Sequence, residues 1–530
     1  MSLYKRATGL AAAAMILSAA AASAEAVKLS SVATGFVLTG DLIEFDGANY
    51  TVNSSIGRLT IAAAGMVCEG PGCPDLTTGA VPATGLDKTF GVFGSNAIGE
   101  SLMPGLIEAY SFAKGTVAER ELGTEGSRSV IRLLNDEGTE VAAIDLNASG
   151  SSDAFPGLIS GDALIGMSSR RVLSSEIAAF ESAGLAPIDR AGYEHVLALD
   201  GLIVIVSPDN PIQTINIDDL ADIFSGDINN WADLGGPDLP ISLYAAAPNT
   251  GDGESFASLL LSPRGASMAP DVRTFTSGRD LSDAVAGDRA GIGFTGLAFE
   301  RSARALDIET SCGIVVSPTD FNVKTEEYPL SRRLFLYTTG DVLPESARGL
   351  LEYALSDDAQ AEISDIGFVN QSITAVPLNG QGRRIAEAFI QQRDAAGFRL
   401  MRELTLELLD GDRLSTTLRF QKNSSVLDTK SAGDLTRLAR YIANEGLRNQ
   451  ELVLVGFADD ATRFEANLAL STQRAAQIRA ALEAELVRIG ADAELNIATL
   501  GYGELAPVSC GDELSSVSNR RVEVWVRDQL

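Results

Sequence analysis

The chain has 530 residues, with 41 Lys and Arg against 71 Asp and Glu, for a formal net charge of -30. That length supports more than one domain with sizeable cores, and that charge excludes nucleic acid and anionic membrane surfaces as partners. The single histidine, His195, leaves no multi-histidine metal site and little from which to build a Ser-His-Asp or Cys-His mechanism.

At the N-terminus, Lys5 and Arg6 precede an apolar, Ala-rich run over 7–22. Ala22-Ser23-Ala24 then offers small residues for cleavage before Glu25, so 1–24 reads as a secretory signal. The run is too short to favour a membrane span, no Cys lies at the junction for a lipid anchor, and no later segment offers a spanning run. The mature chain is expected to be soluble and exported to the periplasm. Residues 27–80 set short apolar stretches between Gly- and Asp-containing turns and predict a small β-rich module. Within it, Cys68 and Cys73 flank Glu69-Gly70-Pro71-Gly72. In an oxidising compartment that spacing reads as a disulfide loop; the competing metal pair lacks a further His or Cys nearby. Cys312 and Cys510 either pair between domains or stay reduced.

Residues 88–375 alternate strand-like and helix-like segments. A strand over 196–206 is interrupted at Asp200-Gly201, helices fall over 218–224, 346–355 and 358–363, and 291–294 reads as a buried strand. His195 lies in the strand-like run 193–199 and reads as structural. The alternation predicts an α/β fold with largely parallel sheets in two lobes around a cleft. Three Gly/Ser turns stand out: Phe93-Gly94-Ser95-Asn96-Ala97 before a helical run over 102–113, Gly150-Ser151-Ser152, and Gly166-Met167-Ser168-Ser169-Arg170. Such turns point N–H groups and a helix dipole at one spot and favour an anion there, although each alone reads as a helix cap.

Residues 378–412 are rich in charge and helix formers and predict a helical connector. From 413 to 530 the order is strand, helix, strand, helix, strand, strand, which fits an α+β sandwich. Val455-Gly456-Phe457-Ala458-Asp459 ends one strand, and Arg474 is expected in the first turn of the next helix. An acid and a guanidinium so placed can grip a zwitterion, Asp459 taking an ammonium and Arg474 a carboxylate.

These residues, with Asn467-Leu468, Ser471 and Asn519-Arg520-Arg521-Val522, resemble the OmpA-like peptidoglycan-binding domain over 418–526. The resemblance implies that Asp459 and Arg474 bind the diaminopimelate of the wall peptide, supported by Asn423, Asn467 and Arg520. Phe457-Ala458 stands where the family often has His-Thr, and Ala461 where it often has Thr, which removes one or two polar contacts. The middle domain resembles the PstS-like phosphate-binding proteins, the substrate-binding partners of ABC transporters. The matching stretches include 93–99, 150–152, 165–170, 223–226 and 291–294, with Tyr328-Pro329-Leu330. That likeness implies a two-lobed, type II periplasmic-binding-protein fold closing on an oxyanion, with Ser95, Asn96, Ala97, Ser151 and Ser169 as donors. The fourth loop, 247–256, departs from the family: Pro248 stands near the place of its Arg, and Asp252 and Glu254 replace Ser and Thr. Two carboxylates facing phosphate in a desolvated cleft are costly unless protonated or turned away, so the ligand is phosphate, a related oxyanion, another ligand or none. The expected protein is a non-catalytic binding protein without cofactor or metal, held to peptidoglycan near the outer membrane. The alternative is a wall tether whose degenerate cleft serves as a protein-interaction scaffold. An enzyme reading on Asp252 and Glu254 lacks a nucleophile with its base.

Overall fold

The computed structural model describes residues 25–31, 37–45, 49–54, 57–62, 66–70, 73, 89–123, 127–190, 192–340, 343–421, 426–445, 447, 450–459, 463–491, 495–510 and 516–528. The expected signal over 1–24, Asn423 and Ala461 lie outside them. The chain divides into two units, 1–85 and 86–530.

In the first unit, five antiparallel strands stand in the order Gly57–Ala62, Asn49–Ser54, Val37–Phe45, Glu25–Ser31, Met66–Glu69. Their alternation turns Val27, Leu29, Leu38, Tyr50 and Val52 to one small core. Cys68 and Cys73 pack against that core and are joined by a disulfide, with their Cα atoms 5.8 Å apart.

In the second unit, one mixed sheet runs through both lobes of the middle domain. Two long strands, Glu194–Val206 and Ser331–Tyr337, pair antiparallel at its centre. Glu194–Val206 enters both cores, with Leu197 and Ala198 packed in one lobe and Leu199, Leu202 and Val204 in the other; Leu334 and Leu336 of its partner pack in the first, and Leu330, just before that partner, in the second. These strands cross between the lobes. The expected interruption at Asp200-Gly201 does not occur, because Asp200 pairs with Arg332 and Gly201 with Ser331 across the ladder. Nor are the sheets largely parallel. Within this mixed sheet, parallel pairing among the described residues is confined to the two wings: Thr89–Gly94 with Glu140–Asn147 and Ile165–Ser168, and Ser242–Ala246 with Gly291–Gly296 and Arg273–Phe275. The crossing strands and the ribbon formed by Val117–Leu122 and Arg128–Leu134 are antiparallel. Alternation of strand and helix along a sequence does not reveal strands that return between lobes.

The C-terminal sheet has the order Ala375–Pro377, Asp412–Arg419, Arg521–Asp528, Gln450–Gly456, Asn496–Gly501. Leu452 and Leu454 face the helices Thr429–Glu445 and Phe464–Arg488, while Val453 and Val455 face the opposite side. There, Met401, Leu404 and Leu408 cover the sheet. The helices Gly382–Ile390 and Ala395–Glu407, expected as a connector, thus form a third layer of this domain, and Ala375–Pro377 is its edge strand.

The middle and C-terminal domains are joined closely. Cys312 and Cys510 form a disulfide with a Cα separation of 5.7 Å. Glu326, at φ 54°, and Glu327 turn consecutive carboxylates to the strand Asp412–Arg419. Arg419 donates to Glu326 at 2.8 Å, and the fully buried Arg413 pairs with Glu327. Arg384 and Glu523 extend the same ion network.

Candidate functional sites in the cleft and the C-terminal domain

Strand Thr89–Gly94 ends at Gly94, φ 132°, where an added Cβ would lie 2.0 Å from the Met167 carbonyl. Only glycine permits so close a pass, and it delivers Ser95 fully buried into the cleft. The Ser95 amide donates to Met167 O at 2.8 Å, while its hydroxyl has no hydrogen-bond partner. The Ser151 and Ser169 hydroxyls lie 3.0 Å apart, and the Ser169 amide donates to Ser151 Oγ at 3.1 Å. Asn96 Oδ1 accepts from the Ala97 amide at 3.1 Å and, from the other lobe, the Gly251 amide at 2.7 Å. A Cβ on Gly251 would sit 2.6 Å from Ser169 Oγ, 3.3 Å from Ser95 Oγ and 3.4 Å from Ala97 Cβ. Four of the five residues singled out in sequence therefore converge on one glycine of the fourth loop, and Ser151 joins them through Ser169.

That loop does not present two bare carboxylates. Asp252 pairs with Arg332 and accepts from the Gly296 amide at 3.3 Å. Arg332 also reaches Asp200 Oδ2 through Nε at 3.0 Å, Gly251 O at 2.8 Å and Ser255 Oγ at 3.1 Å. Burial pushes the Asp200 carboxyl up against the pull of Arg332, and Asp252 adds to the rise. Sequence reading missed Arg332. Its signal was the alternation along Ser331–Tyr337, which sends every second side chain to one face. Glu254 differs from Asp252. Its Oε2 is buried without a partner, and burial pushes its carboxyl up; Arg170 opposes the rise and Asp153 and Glu176 add to it. Arg170 is itself committed to Glu176 at 2.7 and 2.9 Å and to Ser152 Oγ at 3.0 Å. His195 sits on a crossing strand, with its pKa lowered by burial.

In the C-terminal domain, a Cβ on Gly456 would lie 2.1 Å from Ser471 O, so the strand end rests directly on helix Phe464–Arg488. The Phe457 amide donates to Arg521 O and the Ala458 amide to Gly503 O, both at 2.8 Å, and these bonds carry the chain to Asp459. Asp459 is bound by Arg520 at 2.6 Å. Arg474 lies ten residues beyond the helix start at Phe464, in its third turn and not its first. Its guanidinium stands 5.7 Å from the Phe420 ring centroid, and its Nη1 is buried without a partner. Burial lowers its pKa, with Asp459 opposing and Arg520 adding to the fall. Asn467 is buried and its amide donates to Glu504. Asn519 Oδ1 accepts from the Val508 amide at 2.9 Å and the Ser509 amide at 3.2 Å, which ties down the preceding loop. Two guanidiniums thus flank one carboxylate, an arrangement that leaves positive charge for a ligand carboxylate.

Among the described residues, no group of His, Cys, Asp and Glu is placed to hold a metal ion, and no helix is long and apolar enough to cross a membrane.

Residues 124–358 match the PBP superfamily domain, and residues 419–521 match the OmpA family. The chain is 28% identical over 246 residues to the phosphate-binding protein PstS of Bacillus subtilis, covering 46% of this chain and 76% of that protein. It is 27% identical over 238 residues to protein SphX of Synechococcus elongatus, covering 43% and 68%. Among solved structures, an ABC-type phosphate transport receptor from Vibrio cholerae aligns at 22% identity and a TM-score of 0.41, over 53% of this chain and 99% of that one. The peptidoglycan-associated lipoprotein of Burkholderia pseudomallei aligns at 25% identity and a TM-score of 0.19, over 21% and 90%.

Proposed function

We propose that this chain, which joins a PstS-like PBP superfamily domain to an OmpA family domain, is an exported, non-catalytic binding protein of the cell envelope. Its C-terminal domain holds peptidoglycan, and its cleft takes phosphate or a related small oxyanion. The observation that carries this reading is a pair of buried polar groups without partners, one in each site: Ser95 Oγ and Arg474 Nη1. A buried donor left unmade costs on the order of 1–3 kcal/mol, more for a charged group. A ligand oxygen at each site removes that cost. In the cleft, the hydroxyls of Ser95, Ser151 and Ser169 and the backbone at Asn96 and Ala97 supply donors without net positive charge. Glu254, with its raised pKa, meets a protonated ligand oxygen as a hydrogen-bonding partner. In the C-terminal domain, Arg474 and Arg520 take the carboxylates of a diaminopimelate-type end, and Asp459 takes its ammonium.

The relatives named as phosphate-binding proteins support the first half of the reading, and the OmpA family match supports the second. One observation favours the alternative scaffold reading: Arg332, the cation at the fourth loop, is shared by two carboxylates, Asp200 and Asp252.

Two measurements test the proposal on the mature chain. Thermal unfolding with phosphate and a panel of oxyanions is expected to show saturable stabilisation by phosphate; stabilisation by none of them would favour the scaffold. Arg474→Ala is expected to abolish co-sedimentation with purified peptidoglycan while leaving the unfolding temperature within a few degrees of the parent. Undiminished co-sedimentation would remove Arg474 from the wall site.

A further inference from the structure

The crossing strand Ser331–Tyr337 carries consecutive arginines to two different places. Successive side chains on a strand point to opposite faces. Arg332 faces the cleft, where it holds Asp200 on the other crossing strand and Asp252 and the Gly251 carbonyl on the fourth loop. That loop meets Asn96 and the serine cluster directly. Arg333 faces the C-terminal domain, where it holds Asp428 at 2.8 Å, and it also binds Glu326 of its own domain at 2.9 Å. Asp428 also accepts from the Ser431 amide at 2.7 Å and so starts the helix Thr429–Glu445. Its neighbour Thr429 donates to Glu194 at 2.8 Å, on the second crossing strand. Leu427, the residue before Asp428, bridges antiparallel to Phe420, the platform beneath Arg474. Phe420, Thr429, Arg332 and Arg333 all line one cavity of about 710 Å³. The supports of both candidate sites therefore meet at one strand.

We infer that occupancy of the wall-peptide site and occupancy of the cleft are thermodynamically linked through this strand, with positive sign. The inference rests on the proposed function for the identity of the two ligands. A wall peptide drawing on Arg474 settles Phe420 and, through Asp428 and Thr429, both crossing strands. The side chains that hold Arg332 and the fourth loop are then already fixed when an oxyanion arrives, so less side-chain ordering remains. Linkage is reciprocal: each ligand tightens the other by the same factor.

The test is calorimetric titration of the mature chain with inorganic phosphate, with and without a saturating soluble disaccharide–tripeptide muropeptide ending in diaminopimelate, and then the reverse titration. The expected result is at least about fivefold tighter binding in each direction, the lower end of typical coupling. Asp428→Asn with Thr429→Val keeps a capping oxygen at 428 but removes the charge facing Arg333 and the bond to Glu194. This variant is expected to bind each ligand alone within twofold of the parent and to lose the linkage. Equal phosphate affinity with and without muropeptide in the parent overturns the inference, as does linkage that survives in the variant. Failure of either ligand to bind the parent by itself overturns the functional reading and the inference together, and so is distinguishable from two independent bindings.

Discussion

Glu254 is the carboxylate of the fourth loop whose Oε2 is buried without a partner, and under the proposed function its charge bears on the bound anion. Burial raises its carboxyl above the ordinary value of 4.5. A group raised in this way is neutral over a wider range and becomes an anion as pH climbs through its raised pKa. Phosphate binding is therefore expected to weaken with rising pH in the parent, beyond what the titration of phosphate itself explains. Glu254→Gln keeps the shape and removes the charge. It should bind phosphate more tightly than the parent at alkaline pH, with a flatter pH profile, as isothermal titration would show. Identical profiles would mean that Glu254 does not face the ligand. Asp252 is not equivalent to Glu254, although the two are close in sequence. It is held by Arg332, a contact with a residue 80 positions away.

At the scale of elements, the contact between the turn at Glu326-Glu327 and the strand Asp412–Arg419 carries most of the buried charge between domains. Burial alone would raise Glu326, but Arg333 and Arg419 hold it well below the ordinary glutamate range. Asp428 is likewise depressed, with Arg333 outweighing its burial. Carboxylates depressed in the folded state add stability that is complete above their ordinary pKa and is lost as pH falls toward the folded value. The unfolding temperature should therefore drop as pH falls below about 4.5, the ordinary glutamate value. Glu326→Gln should lower stability at pH 7 by about 3–5 kcal/mol, because it leaves the buried Arg419 without its carboxylate and Arg333 with Asp428 alone, and should lessen the acid loss. Calorimetry across pH checks both, and a variant as stable as the parent at neutral pH would rule out a stabilising role. The covering helices illustrate a second element-scale point. Periodicity over 378–412 identified helices, but not the sheet face formed by Val453, Val455 and Trp525 that they cover.

At the scale of the whole molecule, the disulfide between Cys312 and Cys510 closes a sequence separation of 198 residues. A cross-link over so long a span restricts the unfolded chain, typically by about 2–4 kcal/mol. Cys312→Ser with Cys510→Ser should lower the unfolding temperature and separate the melting of the middle and C-terminal domains into two calorimetric transitions. A single transition at the parent's temperature would show that the ion network alone unites them. The disulfide and the buried ion pairs thus pack the C-terminal domain against the middle domain.

The sequence by itself determined the order of the domains, the β-rich module with its short disulfide loop, the serine turns of the cleft and the Asp459–Arg474 motif. Each of these is written in local spacing: a turn before a helix, a strand-end acid, two cysteines 5 residues apart. Tertiary structure alone decided the partners. It gave Asp459 to Arg520 across 61 residues, Arg332 to Asp200 across 132, and Cys312 to Cys510 across 198. It also decided the direction of the strands that return between lobes. The physical reason is common to all of them. A side chain's local pattern reports its own backbone, whereas its electrostatic partner is chosen by whichever surface the packed cores bring within a few ångströms.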